Sequence, residues 1–373
     1  MARRNTHVLT FTIFCVFGGL FITNMASGDD ILDALPIAKP GQGVCVSAEL
    51  IYSLDDKPTP QCHASTIAQT PDGGFVAAWF AGTKEKDPDV GIRVARLDGT
   101  RWSESVEVAN GIQPEGERFP CWNPVLSQPK DGPLLLFYKV GPSPSQWWGM
   151  MMTSDDQGKT WSSPRKLGVD PKLGEQNTHL AGPVKNKPIQ LSDGAILCPS
   201  STEHDGWRVH FELTRDLGKT WEVIGPINDA SQFDAIQPSI LTYADGRMQI
   251  MCRSKQKVIT TSWSEDGGKT WSKLASSGLP NPNSGTDAVT LADGRQLLVY
   301  NHTTRGGKFP SGRQMLNVAT SSDGKTWTPI LTLEKEDRSE FSYPAVIQAS
   351  DATVHITYTY KRQSVKHVVL DMK

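Results

Sequence analysis

The sequence predicts an all-β protein, a six-bladed β-propeller, and three observations lead to that fold class. The first is a hairpin motif of the form S-x-D-x-G-x-T-W or close to it, found at Ser154–Trp161, Thr214–Trp221 and Ser264–Trp271. The second is an Asp-Gly pair between two apolar runs, which occurs five times, with Asp351-Ala352 in the sixth place. The third is that no helical period appears after the N-terminal apolar segment. Repeated hairpins without helices are typical of propellers.

The repeat unit contains four strands in about 57 residues. Its order is strand, Asp-Gly hairpin, strand, connection, strand, S-x-D-x-G-x-T-W hairpin and strand. A shorter copy of the motif lies at Ser321–Trp327 and a degraded copy at Asp98–Trp102, so the motif punctuates most units. In this hairpin, Asp and Thr side chains can bond the turn backbone, Gly supplies a positive φ and Trp packs between sheets. The motif is therefore interpreted as structural, without a chemical role.

Strands are expected on both sides of the Asp-Gly turns, because apolar, β-rich runs flank them. The clearest runs are Phe75–Trp79, Leu134–Tyr138, Leu297–Tyr300 and Val354–Tyr358.

Composition excludes several classes of protein. The 373 residues are 38% hydrophobic and 21% charged, which fits neither a disordered chain nor a polytopic membrane protein. Thirty-eight basic and 40 acidic residues give a net charge of −2. There is thus no bulk positive charge to hold nucleic acid or an anionic membrane.

The N-terminus resembles a secretory signal. Arg3 and Arg4 precede an apolar run from 8 to 22, and small or polar residues follow at 24–28. We expect cleavage after Ala26 or Gly28, with an uncleaved anchor as the alternative. The predicted organisation is a signal peptide at 1–28, an N-terminal extension at 29–44 and a propeller at 45–373. The mature protein is expected to be secreted or periplasmic.

The cysteines indicate neither a metal site nor a redox pair, because no C-x-x-C occurs. After removal of the signal, five cysteines remain, and export leaves room for one disulfide that joins Cys45 to Cys62 or to Cys121. No acidic cluster has the spacing of a calcium site, so neither a metal nor an organic cofactor is expected.

Candidate site residues come from the strands that line the channel of a propeller. Near the start of each innermost strand the sequence places a polar group, and these are His63, Asn123, Lys187, Gln237, Asp287 and Tyr343. Further polar groups follow the second strands and connections: Asp87, Asp89, Glu203, Arg253, His302 and Arg313. Trp147 and Trp148 are expected near the pocket, since flat aromatic rings stack on sugars.

The repeated hairpin motif resembles the Asp-box, or BNR repeat, of the sialidase superfamily, over about residues 45–373. This resemblance implies a six-bladed propeller with a central site. It implies that Arg residues bind a substrate carboxylate through bidentate, charge-assisted bonds. It also implies a Tyr nucleophile, a Glu that deprotonates it and an Asp that protonates the leaving oxygen.

Position by position, the resemblance assigns Arg253 and Arg313 to the second and third Arg of the family, and Tyr343 to the nucleophile. Asp87 or Asp89 matches the acid, and Asp87 is preferred. Two positions depart from the family pattern. His63 stands where the first Arg is expected, and Gln237 stands where the Glu is expected. Glu203 is the candidate replacement for the missing base.

The expected function is therefore that of a secreted exo-glycosidase of exo-α-sialidase type, which removes a terminal acidic sugar from a glycan. One alternative is a uronate polysaccharide lyase with Tyr343 or His63 as the base. The other is a glycan-binding propeller without catalysis. In each case the partner is a glycan, in the enzymatic cases one that carries a carboxylate, and no nucleic acid or membrane partner is expected.

Overall fold

The computed structural model describes residues 34–373. The expected signal peptide and the first residues of the expected extension lie outside this range. Within it, 25 strands form six antiparallel sheets, which confirms the all-β class and the six-bladed propeller. The helical content of residues 34–373 is one 3-10 turn, Pro171–Leu173. None of the helical structure in this part of the chain is long and apolar enough to span a bilayer.

Each blade is a meander that runs from an inner strand to an outer one. The strands of blades one to three are β2 Gln61–Gln69, β3 Phe75–Gly82, β4 Gly91–Asp98, β5 Arg101–Trp102, β6 Val106–Ala109, β7 Cys121–Ser127, β8 Leu134–Val140, β9 Trp148–Ser154, β10 Arg165–Lys166, β11 Ile189–Gln190, β12 Ile196–Thr202, β13 Arg208–Thr214 and β14 Glu222–Ile224. Both β5 and β6 pair with β4 at the edge of blade one. The inner strand of blade three, β11, has only two residues.

Blades four to six complete the ring. Their strands are β15 Ala235–Thr242, β16 Met248–Ser254, β17 Val258–Ser264, β18 Ala275–Pro280, β19 Asp287–Thr290, β20 Gln296–Tyr300, β21 Met315–Ser321, β22 Thr328–Lys335, β23 Phe341–Gln348, β24 Val354–Tyr360 and β25 Ser364–Leu370. The outer strand of blade six is β1 Cys45–Leu50, which pairs antiparallel with β25. The first strand of the propeller therefore completes its last blade.

The three full hairpin motifs and the shorter copy have the turn chemistry that the sequence predicts. In the third copy, Asp266 Oδ1 accepts bonds from the backbone N–H groups of Lys269 (3.0 Å) and Thr270 (2.9 Å). The Thr270 hydroxyl donates to Asp266 Oδ2 at 2.6 Å. The Trp271 indole N–H donates to the Gly268 carbonyl at 3.0 Å. These bonds close the hairpin, so the motif has a structural role.

The apolar core lies within and between the sheets. The predicted apolar runs are buried parts of β3, β8, β20 and β24. All five cysteines in the described residues are buried and free, so the expected disulfide is absent there. Burial raises the pKa of the Cys62 thiol to about 12, which makes it a poor nucleophile. The cysteines therefore pack as small apolar side chains.

The hairpin carboxylates predict a loss of stability in acid. Hydrogen bonds from Thr270 lower the pKa of Asp266 from its ordinary value to about 2. A lowered carboxyl pKa stabilises the fold above pH 4, and this contribution is lost as the pH falls through 2. We expect Asp266→Asn to lower the thermal midpoint at pH 7 by roughly 2–4 °C. It should also flatten the fall of the midpoint between pH 4 and pH 2, measured by calorimetry.

Glu265→Gln is the matched control, because Glu265 is exposed and adjacent in sequence. An Asp266→Asn protein with the midpoint of the wild type at pH 7 would contradict the structural role of the motif.

Candidate functional site

Four inner strands carry the same irregularity at the end where they begin. The pairing register slips between His63 and Thr66, and between Trp122 and Val125. It slips in the same way in blades four and six. In each slip one residue has a positive φ: Ala64 (55°), Asn123 (37°), Gln237 (58°) and Tyr343 (53°). A β-bulge of this kind re-aims side chains, here at one end of the channel.

In these four blades the bulge residue lies eight positions before the Asp of the first hairpin, or before Asp351, and the same count gives one position in each of the other two blades. Counted in this way, the six positions are Ala64, Asn123, Lys185, Gln237, Gly285 and Tyr343. Lys185 also has a positive φ, 71°. The expected axial ring is therefore corrected in three blades, where His63, Lys187 and Asp287 do not occupy this position. His63 directly precedes it, and the other two follow it by two residues.

Lys187 and Asp287 form a buried ion pair below the ring. Lys187 Nζ lies 3.0 Å from Asp287 Oδ2 and donates to the Ala288 carbonyl at 2.8 Å. Asp287 also accepts the backbone N–H of Val346 at 2.8 Å, which joins blades three, five and six. The carboxylate is 2% exposed. Both residues were expected to bind substrate. In the structure they form an ion pair with each other.

Tyr343 is the centre of the polar cluster at this end of the channel. Arg253 Nη1 donates to the Tyr343 hydroxyl at 2.5 Å, and Arg253 Nε donates to Asn283 Oδ1 at 2.6 Å. The Arg313 guanidinium lies 5.2 Å from the centre of the Tyr343 ring. Two guanidinium groups, supplied by blades four and five, thus converge on one tyrosine. A guanidinium bond to the phenol oxygen stabilises negative charge that develops there.

His63 packs against the same tyrosine, with ring centres 4.1 Å apart. Its Nδ1 lies 2.8 Å from the Thr359 hydroxyl. Burial lowers the pKa of His63 well below 6.5, and the charges of Arg362, Arg313 and Arg253 lower it further. The imidazole is therefore neutral at physiological pH and adds no positive charge to the site.

A third guanidinium lies beside His63, and the sequence analysis did not identify it. Arg362 is in the β24–β25 turn and borders the small cavity that His63 and Glu85 also line. Its Nη1 lies 2.6 Å from Glu85 Oε2, and its Nε lies 2.9 Å from Glu340 Oε1. The same Glu340 oxygen accepts Arg313 Nη1 at 2.8 Å. Glu340 therefore bridges the guanidinium groups of Arg313 and Arg362.

The charge balance of this network is positive around Tyr343. Burial opposes ionisation of Glu340, but Arg313 and Arg362 outweigh it and lower the pKa of this carboxyl. Arg305 also lies within electrostatic reach of Arg313 and Arg253, and burial with these like charges lowers the pKa of Arg305. Such an arrangement favours an anionic ligand.

Glu203 is the carboxylate whose ionisation is most affected by this site. Burial raises the pKa of Glu203, and nearby Glu85 raises it further, against the opposing charges of Arg253 and Lys255. Trp207, four residues later, lies against the same cations, with the Arg253 guanidinium 4.9 Å from its ring centre. A carboxylate with a raised pKa is a stronger base than an ordinary glutamate.

The two acid candidates of blade one differ in their contacts. Asp89 Oδ2 accepts both the backbone N–H and the hydroxyl of Thr83, each at 2.8 Å, so it closes its own loop. The Asp87 carboxylate makes no side-chain hydrogen bond within residues 34–373 and is half-buried. Asp87 therefore keeps the freedom that a proton donor needs, and Asp89 is assigned to the loop.

Gln237 and Gly285 lie next to Tyr343. A Cβ on Gly285 would approach Gln237 Oε1 and Lys185 Cε to 3.1 Å and Tyr343 Cδ2 to 3.4 Å, so a larger residue here would have to push these side chains back by a few tenths of an ångström. Gln237 is 2% exposed, and its Oε1 has no hydrogen-bond partner within the described residues. An amide cannot take the phenol proton as a carboxylate would.

The remaining candidates lie away from this cluster. Trp147 is buried in a small group with Trp122, Ala181 and Val184, so it is a core residue. Trp148 packs on Phe119 at 5.7 Å and under Lys166 at the outer edge of blade two. Trp147 is 4% exposed and therefore not open to a sugar, and the expected role of Trp148 stays a prediction.

Asn123 occupies its ring position, and its carbonyl accepts Lys139 Nζ at 3.4 Å. His302 contacts the Tyr300 hydroxyl. The roles of Asn123 and His302 in substrate binding stay predictions.

A cavity of about 830 Å³ lies at the opposite end, between the hairpins of blades three and four. Its apolar floor includes Leu191, Leu213 and Met248, and its charged rim includes the exposed ion pair of Arg215 with Asp193. The Arg247 guanidinium lies 5.6 Å from the centre of the Tyr243 ring there, but the Tyr243 hydroxyl bonds Gln249, whereas the Tyr343 hydroxyl accepts a bond from Arg253. The axial cluster is therefore the candidate site.

Comparison with known proteins agrees with this fold. A family model described as "BNR repeat-like domain" matches residues 73–356. A sialidase of Bacteroides fragilis is 25% identical over 237 residues, which is 59% of this chain and 40% of that protein. A sialidase of Micromonospora viridifaciens is 24% identical over 257 residues, which is 66% of this chain and 34% of that protein. The chain thus spans two-fifths or less of the length of these two relatives.

Solved structures share the propeller at lower identity. A protein of unknown function from Dyadobacter fermentans has a TM-score of 0.72 and 18% identity, over 88% of this chain and 99% of that one. The Hadza microbial sialidase Hz136 has a TM-score of 0.72 and 16% identity, over 87% and 68%. The NanB sialidase of Streptococcus pneumoniae has a TM-score of 0.68 and 14% identity, over 90% and 71%. These likenesses show the fold.

Proposed function

The chain belongs to the BNR repeat-like family of the sialidase superfamily, and from this we propose that it is an exo-glycosidase that hydrolyses a terminal, carboxylate-bearing sugar of the sialic acid type. The observation that carries the proposal is the contact of Arg253 with the Tyr343 hydroxyl at 2.5 Å, with Arg313 beside the same ring. A tyrosine held among guanidinium groups suits a substrate whose reacting carbon bears a carboxylate. We further propose that the protein acts outside the cytoplasm, on the strength of its N-terminal sequence.

In the proposed reaction, Arg253 and Arg313 bind the substrate carboxylate, and Arg362 adds the charge that His63 lacks. The Tyr343 oxygen attacks the anomeric carbon, and the bond to the leaving glycan oxygen breaks. Asp87 gives a proton to that oxygen, and Glu203 accepts the phenol proton. Water then releases the sugar from the tyrosine. Glu203 suits the role of base because its raised pKa brings it closer to neutral pH.

One observation favours a second candidate, a lyase for uronate polysaccharides. His63 is neutral, it lies 4.1 Å from Tyr343, and Gln237 replaces the expected carboxylate. A neutral imidazole or a tyrosine can remove the proton on the carbon next to a carboxylate that arginines neutralise. The two reactions share the carboxylate-binding groups and differ in the product.

Purified protein should therefore be incubated with sialosides and, separately, with uronate polysaccharides. We expect free sialic acid, and Tyr343→Phe should reduce its release by at least about 10³-fold, because the nucleophile is lost. Tyr243→Phe is the control, since Tyr243 lies in blade four at the hairpin end and bonds Gln249 at 2.5 Å. Ultraviolet-absorbing unsaturated ends would instead establish the lyase, and binding without product would establish a non-catalytic propeller.

Glu203→Gln tests the proposed base through the pH profile. A base must be deprotonated, so a raised pKa moves the acidic limb of kcat/KM above that of an ordinary glutamate. We expect Glu203→Gln to lower kcat by roughly 10²–10⁴-fold and to remove this limb. Glu222→Gln, at an exposed position of β14, should leave the profile unchanged. An acidic limb that persists in Glu203→Gln would assign it to another group.

Arg362→Gln tests the third guanidinium. Loss of the cation leaves the Glu340 and Glu85 carboxylates without this partner and next to the substrate anion. We expect KM to rise by roughly 10–100-fold, the range for a lost charge-assisted bond, with a smaller change in kcat. Arg247→Gln is the control, because Arg247 is partly exposed and stacks on Trp263 at the hairpin end. An unchanged KM would remove Arg362 from the binding site.

A further inference from the structure

We propose that Lys185 is a positioning residue for Tyr343: it crosses the propeller axis from blade three and holds the backbone bulge of blade six that presents the tyrosine. Lys185 Nζ donates to the Pro344 carbonyl, to the Thr286 carbonyl at 2.7 Å and to Asn186 Oδ1 at 2.8 Å. One ammonium group thus joins blades three, five and six. The inference rests on the proposed role of Tyr343 as the nucleophile.

The bulge needs support because Tyr343 has a φ of 53°. Aromatic L-residues rarely adopt this left-handed region, and they stay there only when neighbouring contacts fix the backbone. Lys185 holds the carbonyl that follows Tyr343, and Asp287 holds the N–H of Val346 two residues further on. Asp287 is in turn held by Lys187. Both contacts that fix the bulge therefore depend on the segment before β11. Lys185 makes the first directly, and Lys187 supports the second through Asp287.

The short inner strand of blade three explains how these lysines reach the axis. β11 has two residues, whereas β15 and β23 have eight each. The residues before it lie outside the strand, although the Val184 N–H still bonds the Pro199 carbonyl of β12 at 2.9 Å, and the Lys185 side chain reaches blades five and six. Lys185 is 2% exposed, and its Cε lies close to the position where Gly285 would carry a Cβ, as does the Tyr343 ring. The lysine stem and the tyrosine ring thus pack on the same glycine.

The charges around Lys185 determine at which pH its ammonium group loses a proton, and with it one of its three hydrogen bonds. Burial lowers the pKa of Lys185 to about 7, Lys187 and Arg253 act in the same direction, and Asp287 opposes them. Its three partners are all acceptors, so three hydrogen bonds require the ammonium form. As the pH rises through 7, the amine loses one of its three donors.

Lys185→Met tests the proposal, since it keeps a long apolar stem and removes every donor. We expect kcat on the sialoside to fall at least tenfold while KM stays within twofold, because the carboxylate-binding arginines are unchanged. We also expect the decline of wild-type kcat above pH 7 to be absent in the variant. Gln249→Leu is the matched control. Gln249 is fully buried and donates to the Gly324 carbonyl at 2.8 Å between blades four and five, so it reports the effect of lost stability alone.

A crystal structure of Lys185→Met gives a second readout that needs no turnover. Loss of the Arg253–Tyr343 bond, or a φ of Tyr343 outside the left-handed region, supports the proposal. A kcat equal to that of the wild type, or an equal fall in kcat for Gln249→Leu at the same thermal midpoint, overturns it. So does an unmoved Tyr343. A wild-type protein that acts on no glycan refutes the proposed function, while the crystal structure still decides the role of Lys185.

Discussion

The bulge at the start of the inner strands is the constraint on which the rest of this site depends. Six strands converge on one axis, and a regular strand would point alternate side chains along the sheet faces rather than into the channel mouth. In blades one, two, four and six a single residue with positive φ redirects the strand at this point, and the eight-residue spacing to the hairpin position recurs in all six blades. Backbone strain at the axis is therefore part of how a site is assembled from six separate repeats.

The fold could be predicted from the sequence because its repeat is marked by turn residues, which form hydrogen bonds within their own hairpin. Asp266 and Thr270 close their hairpin through bonds within the hairpin itself, so the motif can be recognised from the sequence without knowledge of the tertiary structure. Tyr343 and Gln237 were placed at the axis for the same reason, by their distance from a turn. The same count of eight would have given Lys185 and Gly285 instead of Lys187 and Asp287. The start of the apolar run was a poorer marker of the axial position than the distance to the turn, because β11 has only two residues and its start lies beyond Lys185.

The contacts between blades could not be predicted, since they join residues far apart in sequence. Arg362 follows a strand of blade six, yet its partner Glu85 belongs to blade one, 277 positions away. No local motif marks such a pair. Trp147 was misplaced for a related reason: adjacent tryptophans suit a sugar platform, but burial beside Trp122 depends on the packing of loops. Trp207, which does lie beside Arg253, is likewise a tryptophan outside the hairpin motifs, so the sequence gives it the same signal as Trp147 and Trp148.

Closure of the ring by β1 has a consequence for how the molecule folds. The sheet that carries Tyr343 and Arg362 joins strands more than 300 residues apart, Cys45–Leu50 and Ser364–Leu370, so its contact order is among the highest that a chain of this length allows. Such long-range pairing forms late, after the local meanders of the other blades. During synthesis the polar centre would therefore be the last part to become organised. A chain that lacked either end of this pairing would have five complete blades and an unpaired strand in the blade that carries Tyr343.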